Sequence, residues 1–256
     1  MEAKDCRLIL TTTTECLNGC KGCYYSWRET RQTNSSRKIT DIELFKDFDK
    51  FAIGINRYRD YIYEELTLAS ELIISGKDVV LTTSNNDLTS IVTILSGAGF
   101  RFPSALCISL HPPVNDCVDV SYLSRIDVPL FINITDTNAN RLSNVKGIPD
   151  NVIIYLLMEK GPTRLDGNGW KMTDRRIDKY IRRYFKLRNA IGNTIRLDEC
   201  VSSIMEGGRG NCGGKWLEID SVWRARACAY SIDSVDIGDV IDYGIPLLEC
   251  NEPLCR

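Results

Sequence analysis

Three cysteines fall within one short stretch, TECLNGCKGCYYSW, at Cys16, Cys20 and Cys23. Their spacing is C-x3-C-x2-C. Thiolates are soft ligands for zinc and for iron–sulfur clusters. Three of them can hold three irons of a [4Fe–4S] cube and leave the fourth iron without a protein ligand. Such an iron offers an open position to a substrate or cofactor, as a catalytic zinc does. A cube held by four cysteines mainly moves electrons. A zinc site is the alternative use of the same thiols.

The chain carries 11 cysteines. The odd number, with no secretory signal at the N-terminal MEAKDC, argues against a disulfide framework and for metal or cluster ligation. Cys6, Cys107 and Cys117 lie in or near strand-like segments and read as buried small hydrophobes. Cys200, Cys212, Cys228, Cys250 and Cys255 gather towards the C-terminus.

These residues need elements to position them. RLILTTT (7–13) reads as a strand that runs straight into the cysteine loop. ITDIELFKDFDKF has a helical stripe, FAIGI (51–55) is a second strand, and YIYEELTLASELIIS is a helix stopped by Gly76. DVVLTT (78–83) is a third strand and DLTSIVTILSG a third helix. Strands follow at 105–110, 128–135 and 152–158, and a long helix at 174–192. The helix before the fifth strand is poorly marked. Six strands alternating with helices imply an α/β domain with a parallel sheet and right-handed crossovers. The short apolar strands suggest a sheet covered on both faces. After residue 200 the pattern breaks. MEGGRGNCGG is glycine-rich, and KWLEIDSVWRARACAY reads as a hairpin turning near Asp220–Ser221. A boundary near 195–200 separates domain 1–198 from a small cysteine-bearing region, 199–256.

The chain has 256 residues, 43% of them hydrophobic, and a formal net charge of −2. That size accommodates one large α/β domain with an appendage. The near-neutral balance gives no reason to expect nucleic acid as a partner. The longest apolar stretches are strand-length, too short to span a bilayer. A cytoplasmic protein is the expectation.

With the C-x3-C-x2-C loop following a first strand, and six βα units behind it, the sequence resembles the radical S-adenosylmethionine (SAM) superfamily. The resemblance implies a partial (β/α)6, TIM-like barrel with a small cysteine-rich β-hairpin subdomain. Cys16, Cys20 and Cys23 would hold a [4Fe–4S] cluster whose open iron chelates SAM. One electron then cleaves the sulfonium, and the 5′-deoxyadenosyl radical takes a hydrogen atom from substrate. The family's aromatic residue before the third cysteine is Gly22 here, while Tyr24 follows that cysteine as an aromatic often does. The family's GGEP segment after strand two aligns on FAIGINRYRD, so Gly54 and Asn56 fall where the SAM amino group is held. CISLHPP resembles the end of the fourth strand, where Ser109 would reach SAM. His111, the chain's one histidine, stands where an aspartate is usual, as a proton donor or hydrogen-bond partner. Asn133 and Thr135, near the same rim, would join Gly22, Tyr24, Gly54, Asn56 and Ser109 in binding the cofactor, and Glu159, which follows strand six towards the mouth, would be catalytic with His111.

The tail CGGKWLEIDSVWRARAC resembles the start of the SPASM and Twitch auxiliary-cluster domains. Trp223 holds the family's glycine position before Cys228. Cys212, Cys228, Cys250 and Cys255 would bind a second [4Fe–4S] cluster, of the single-cluster Twitch type, with Cys200 as an alternative ligand and structural zinc as the rival metal. The implied activity is hydrogen abstraction from a small molecule, as dehydrogenase, lyase or epimerase on a sugar, cyclitol or nucleobase. The electrons would come from a flavodoxin- or ferredoxin-type donor. A peptide maturase forming thioether or carbon crosslinks is the alternative; a first strand at residue 7 leaves no room for the leader-binding domain many of those carry. An activase of a glycyl-radical enzyme is a further alternative, although residues 24–106 hold none of the extra cysteines usual there. An electron carrier or zinc module is the non-enzymatic reading.

Overall fold

The computed structural model describes residues 6–11, 45–55, 59–97, 99–112, 115–158, 174–192, 194–198, 201–202, 205, 216–220, 223–226 and 234–243. Twelve strands are present among them. They are β1 (Arg7–Leu10), β2 (Lys50–Gly54), β3 (Asp78–Ser84), β4 (Ala105–Leu110), β5 (Val118–Asp119), β6 (Leu130–Thr135), β7 (Val145–Lys146), β8 (Ile153–Leu157), β9 (Ile195–Leu197), β10 (Trp216–Ile219), β11 (Arg224–Arg226) and β12 (Val235–Asp236). The helices are α1 (Arg59–Ile74), α2 (Leu88–Gly97), α3 (Asp174–Ile191) and α4 (Ile237–Tyr243), with 3-10 turns at Ser121–Arg125 and Ala139–Asn144.

Ten strands form one sheet in the order β12-β11-β10-β1-β2-β3-β4-β6-β8-β9, and β5 and β7 pair separately. From β10 to β9 every neighbouring pair is parallel; only β11 and β12 are antiparallel. The fold is therefore mixed α/β around a large, mostly parallel sheet. From β1 to β9 the strand order never reverses. With right-handed crossovers such an order brings successive helices to the same side of the sheet.

Register explains the core. Leu10, Ile53 and Leu81 are cross-strand partners, as are Ile108, Ile132 and Ile154, and all six are fully buried. Side chains alternate across a strand, so these residues make a continuous apolar face. Their sequence neighbours on the opposite face of β3, β4, β6 and β8 are mostly half-buried. Covering on both faces was the expectation; among the described residues one face is fully buried and the other partly. The short strands look uniformly apolar because Val, Ile and Phe occur on both faces.

Other sequence-based bounds shift. The helical stripe expected to reach Phe51 gives way by Phe48, and Lys50–Gly54 is strand. Phe45, Phe48 and Phe51 are all buried, a three-residue spacing that a turn leading into a strand satisfies as well as a helix does. Gly76 has φ 82, which stops α1 two residues after Ile74, and its N–H donates to the Ile73 carbonyl. Among the described residues, the poorly marked fifth crossover holds the β5 strand and the first 3-10 turn before β6. The hairpin near Asp220 is present as β10–β11, and β10 continues the sheet by pairing with β1. Of the three cysteines expected to be buried, Cys6 is buried, Cys107 is intermediate and Cys117 is exposed. Cys117 immediately precedes β5, where the neighbouring Val118 is the residue that packs against the core.

Candidate functional site

In parallel α/β sheets ligands gather beyond the carboxyl ends of the strands. Here that edge carries Thr11 after β1, Gly54 in β2, Ser84 in β3, Ser109 and His111 at β4, and Asn133 and Thr135 at β6. The residues Cys16, Cys20 and Cys23 follow Thr11 in the chain and lie outside the described residues, as do Gly22, Tyr24, Asn56, Glu159, Cys200, Cys212, Cys228, Cys250 and Cys255. Of the sequence-predicted site, the structure therefore places Gly54, Ser109, His111, Asn133 and Thr135.

The corner between β3 and β4 is tied by short polar bonds. The Ser84 hydroxyl donates to the Asp87 carboxylate at 2.6 Å. Asp87 directly precedes α2, and its carbonyl accepts the first helical bond, from the Ile91 N–H, so it occupies the N-cap position. The Asn85 N–H donates to the Ser109 carbonyl at 3.1 Å, and the His111 N–H donates to Asn85 Oδ1 at 2.8 Å. The backbone of His111 is thus held by the neighbouring crossover. Burial pushes the imidazole below its ordinary pKa, which keeps it neutral at pH 7 and able to accept a proton or a hydrogen bond.

Cross-strand register sets Ser84, Ser109, Asn133 and Tyr155 side by side on the face opposite the apolar one. One pleat away lie Gly54, Thr82, Cys107 and Phe131. Asn133 Nδ2 donates to Cys107 Sγ at 3.1 Å. Burial raises the Cys107 thiol to about 11, against smaller opposing effects from Thr82 and Asn133, so it stays protonated. A Cβ at Gly54 would meet nothing within 4 Å, so packing among the described residues does not require glycine there. The Thr135 and Thr137 hydroxyls lie 3.2 Å apart at the strand end.

Sequence reasoning missed a set of buried acids. Asp136, Asp198 and Asp220 each stand one residue beyond a strand, after β6, β9 and β10, and all are buried. Asp136 pairs with Arg176 at 2.9 Å and Arg183 at 2.8 Å, fastening α3 to the end of β6. Asp198 accepts the Met158 N–H at 3.1 Å, and Tyr180 bonds both the Asp198 N–H and the Leu156 carbonyl. Asp220 pairs with Arg226, and the Thr11 hydroxyl donates to Glu218 at 3.3 Å. An aspartate directly after a strand's last residue was the available signal. These groups are ion-paired or hydrogen-bonded to the frame around the site. Among the described residues, no group of three His, Cys, Asp or Glu side chains is arranged to hold a metal, and no helix is long and apolar enough to cross a membrane.

No protein-family model matches the chain, and the comparison with curated proteins finds no match.

Proposed function

We propose that the chain is a radical SAM enzyme acting on a small molecule, with the sheet as a partial (β/α)6 barrel and residues 199–256 as a Twitch-like auxiliary region. One observation carries the reading. The C-x3-C-x2-C segment follows β1 at the edge where Gly54, Ser109, His111 and Asn133 also lie. The unreversed strand order fits a barrel that is wound in one direction. Cys16, Cys20 and Cys23 would hold the cluster, and Cys212, Cys228, Cys250 and Cys255 a second one. When bound, the cluster and SAM supply the electron and the 5′-deoxyadenosyl radical that removes a hydrogen atom from substrate.

The chain's own residues then bind and orient. Ser109 offers a hydroxyl to the cofactor, and Gly54 leaves room for it beside β2. His111, neutral and fixed through Asn85, offers a hydrogen-bond or proton-accepting group at the same rim. The hairpin gives separate support. Trp223 is the one non-glycine residue with positive φ among those described, at 62, a conformation that favours glycine. That position is where the related auxiliary domains carry glycine. Its indole stacks on Phe45 at 6.0 Å, which offsets the backbone strain. Cys212 and Cys228 are tethered four residues before β10 and two after β11, and the antiparallel pairing brings those strand ends to the same edge. A flavodoxin- or ferredoxin-type donor and the reducing cytoplasm complete the proposal.

The test is anaerobic reconstitution with iron and sulfide, followed by SAM and dithionite. Two clusters correspond to about eight irons and eight sulfides per chain. The intact protein is expected to form 5′-deoxyadenosine, and Cys20→Ala to abolish it. Equal yields from both proteins would end the radical reading, and zinc retained by the tail would end the second cluster.

A further inference from the structure

The helix α3 concentrates charge of one sign. Its 18 residues include seven arginines and lysines and two aspartates. The helix is thus net +5 in a chain of net −2, which leaves −7 for everything else. The near-neutral total conceals this separation. Arg175, Lys179, Arg182 and Lys186 follow one another at steps of four, three and four residues, and all four are exposed. At 3.6 residues per turn they fall within about 60° of arc and make a row roughly 16 Å long. Tyr180 and Tyr184, both buried, hold the opposite side of the helix against the core. Arg176 and Arg183 lie outside the row, and the buried Asp136 takes both. None of the four exposed cations pairs with a carboxylate among the described residues.

Folding does not ask for this row. Like charges three and four residues apart disfavour a helix, and Arg175 stands in the first turn, where the helix dipole favours acids. A solvated helix face ordinarily mixes both signs along such a row. Lysine and arginine gathered along one helix face are the electrostatic footprint of a phosphate backbone. Phe185, beside Lys186 and 49% exposed, flanks the row. An exposed ring next to cations is the arrangement on which unpaired bases stack. We propose that the outer face of α3 binds a single-stranded nucleic acid, with the four cations on its phosphates and Phe185 against a base. The inference stands apart from the radical SAM reading and does not need it. Two other polyanions fit this face less well. An acidic protein would meet two lysines in mid-patch, where protein interfaces are poor in lysine and rich in apolar contact. An anionic bilayer takes up the apolar face of a helix, and here that face is committed to the core. The row begins near the candidate site, since Arg176, next to Arg175, is fixed to Asp136 at the end of β6. A strand on α3 therefore starts from the sheet edge that also carries Ser109 and His111.

The experiment is fluorescence anisotropy of the full chain with labelled oligouridylate and oligothymidylate, each of about twelve nucleotides, in rising potassium chloride. Both are expected to bind at low salt and to weaken with a log–log slope near −3, about −0.7 for each of the four phosphates neutralised. The combined variant Arg175→Gln, Lys179→Gln, Arg182→Gln and Lys186→Gln should lose about tenfold or more in affinity and most of the slope. Lys179→Gln alone should flatten the slope by about 0.7. Arg101→Gln should leave it unchanged, because that exposed cation lies on a loop bonded to Ser70 of α1. Phe185→Ala should weaken both strands roughly fivefold and leave a duplex of the same length unaffected. Melting temperatures of all variants are measured alongside. A glutamate peptide of similar length and phosphatidylserine vesicles are the rival probes. No salt-dependent binding of either oligonucleotide, a combined variant that binds like the parent, or tighter binding of the peptide or the vesicles would each overturn the proposal. A Phe185→Ala protein that holds the strands like the parent would overturn the assignment to unpaired bases.

Discussion

Ile132 and Asn133 are consecutive residues of one strand, yet they belong to two different environments. Ile132 is fully buried in a row with Ile108 and Ile154, while Asn133 is half-buried in a row with Ser109 and Tyr155. The first face is held by packing, which tolerates little change in volume. The second keeps polar atoms that the described part of the fold does not use. The contrast separates what makes the sheet stable from what makes it receptive. It weakens towards β10 and β11, where Glu218 and Arg226 are cross-strand partners and both are buried. There the same side of the sheet is closed by charges.

That closed end gives the largest expected effect. Asp220→Ala would leave the buried Arg226 guanidinium without its partner, and the loss should be roughly 3–5 kcal/mol. Urea unfolding measures it, and a loss below 1 kcal/mol would mean that this end is solvated. Next, Ile132→Ala should cost about 2–5 kcal/mol by lost burial and cavity formation. Asn133→Ala on the neighbouring position should cost less than about 1 kcal/mol, because it removes one weak bond to sulfur from a half-buried side chain. Equal losses at the two positions would break the comparison of faces.

The smallest effect is in pH. Burial lowers the His111 pKa in the folded chain, so the unfolded chain binds its proton more readily. The histidine's contribution to stability is therefore fully present above an ordinary imidazole pKa of about 6.5 and is lost as pH falls towards the folded value. Urea midpoints taken on either side of that pH should separate less in His111→Gln than in the parent. An unchanged separation would place the imidazole in water.

Much of this arrangement was legible in the sequence, for identifiable reasons. ALCISL is an apolar run bounded by turns, and β4 has the expected limits, Ala105–Leu110. Gly76 ends its helix as anticipated because only glycine takes that φ cheaply. The strand β9, Ile195–Leu197, was not legible, since three residues are too few to show a period. The two-residue β5–β7 pair escaped for the same reason. The resemblance picked out Ser109, His111 and Asn133, but Tyr155 was lost inside IIYLL, where an aromatic reads as one more apolar residue. Asp136, Asp198 and Asp220 were passed over because charges are ordinarily solvated, and only the fold reveals the arginines and backbone groups that make their burial possible.

The pairing of β1 with β10 has a consequence for how the protein is made. Thr11 and Glu218, which bond across that pair, are 207 positions apart. During synthesis β1 emerges well before β10, and its outer edge has to stay open until β10 has left the ribosome. An open strand edge is a template for wrong partners, and contacts this distant close late. The segment that carries Cys16, Cys20 and Cys23 follows directly on this waiting edge. The pairing of β1 with β2 needs only local chain, so the parallel sheet can assemble on that side before the hairpin closes its outer edge.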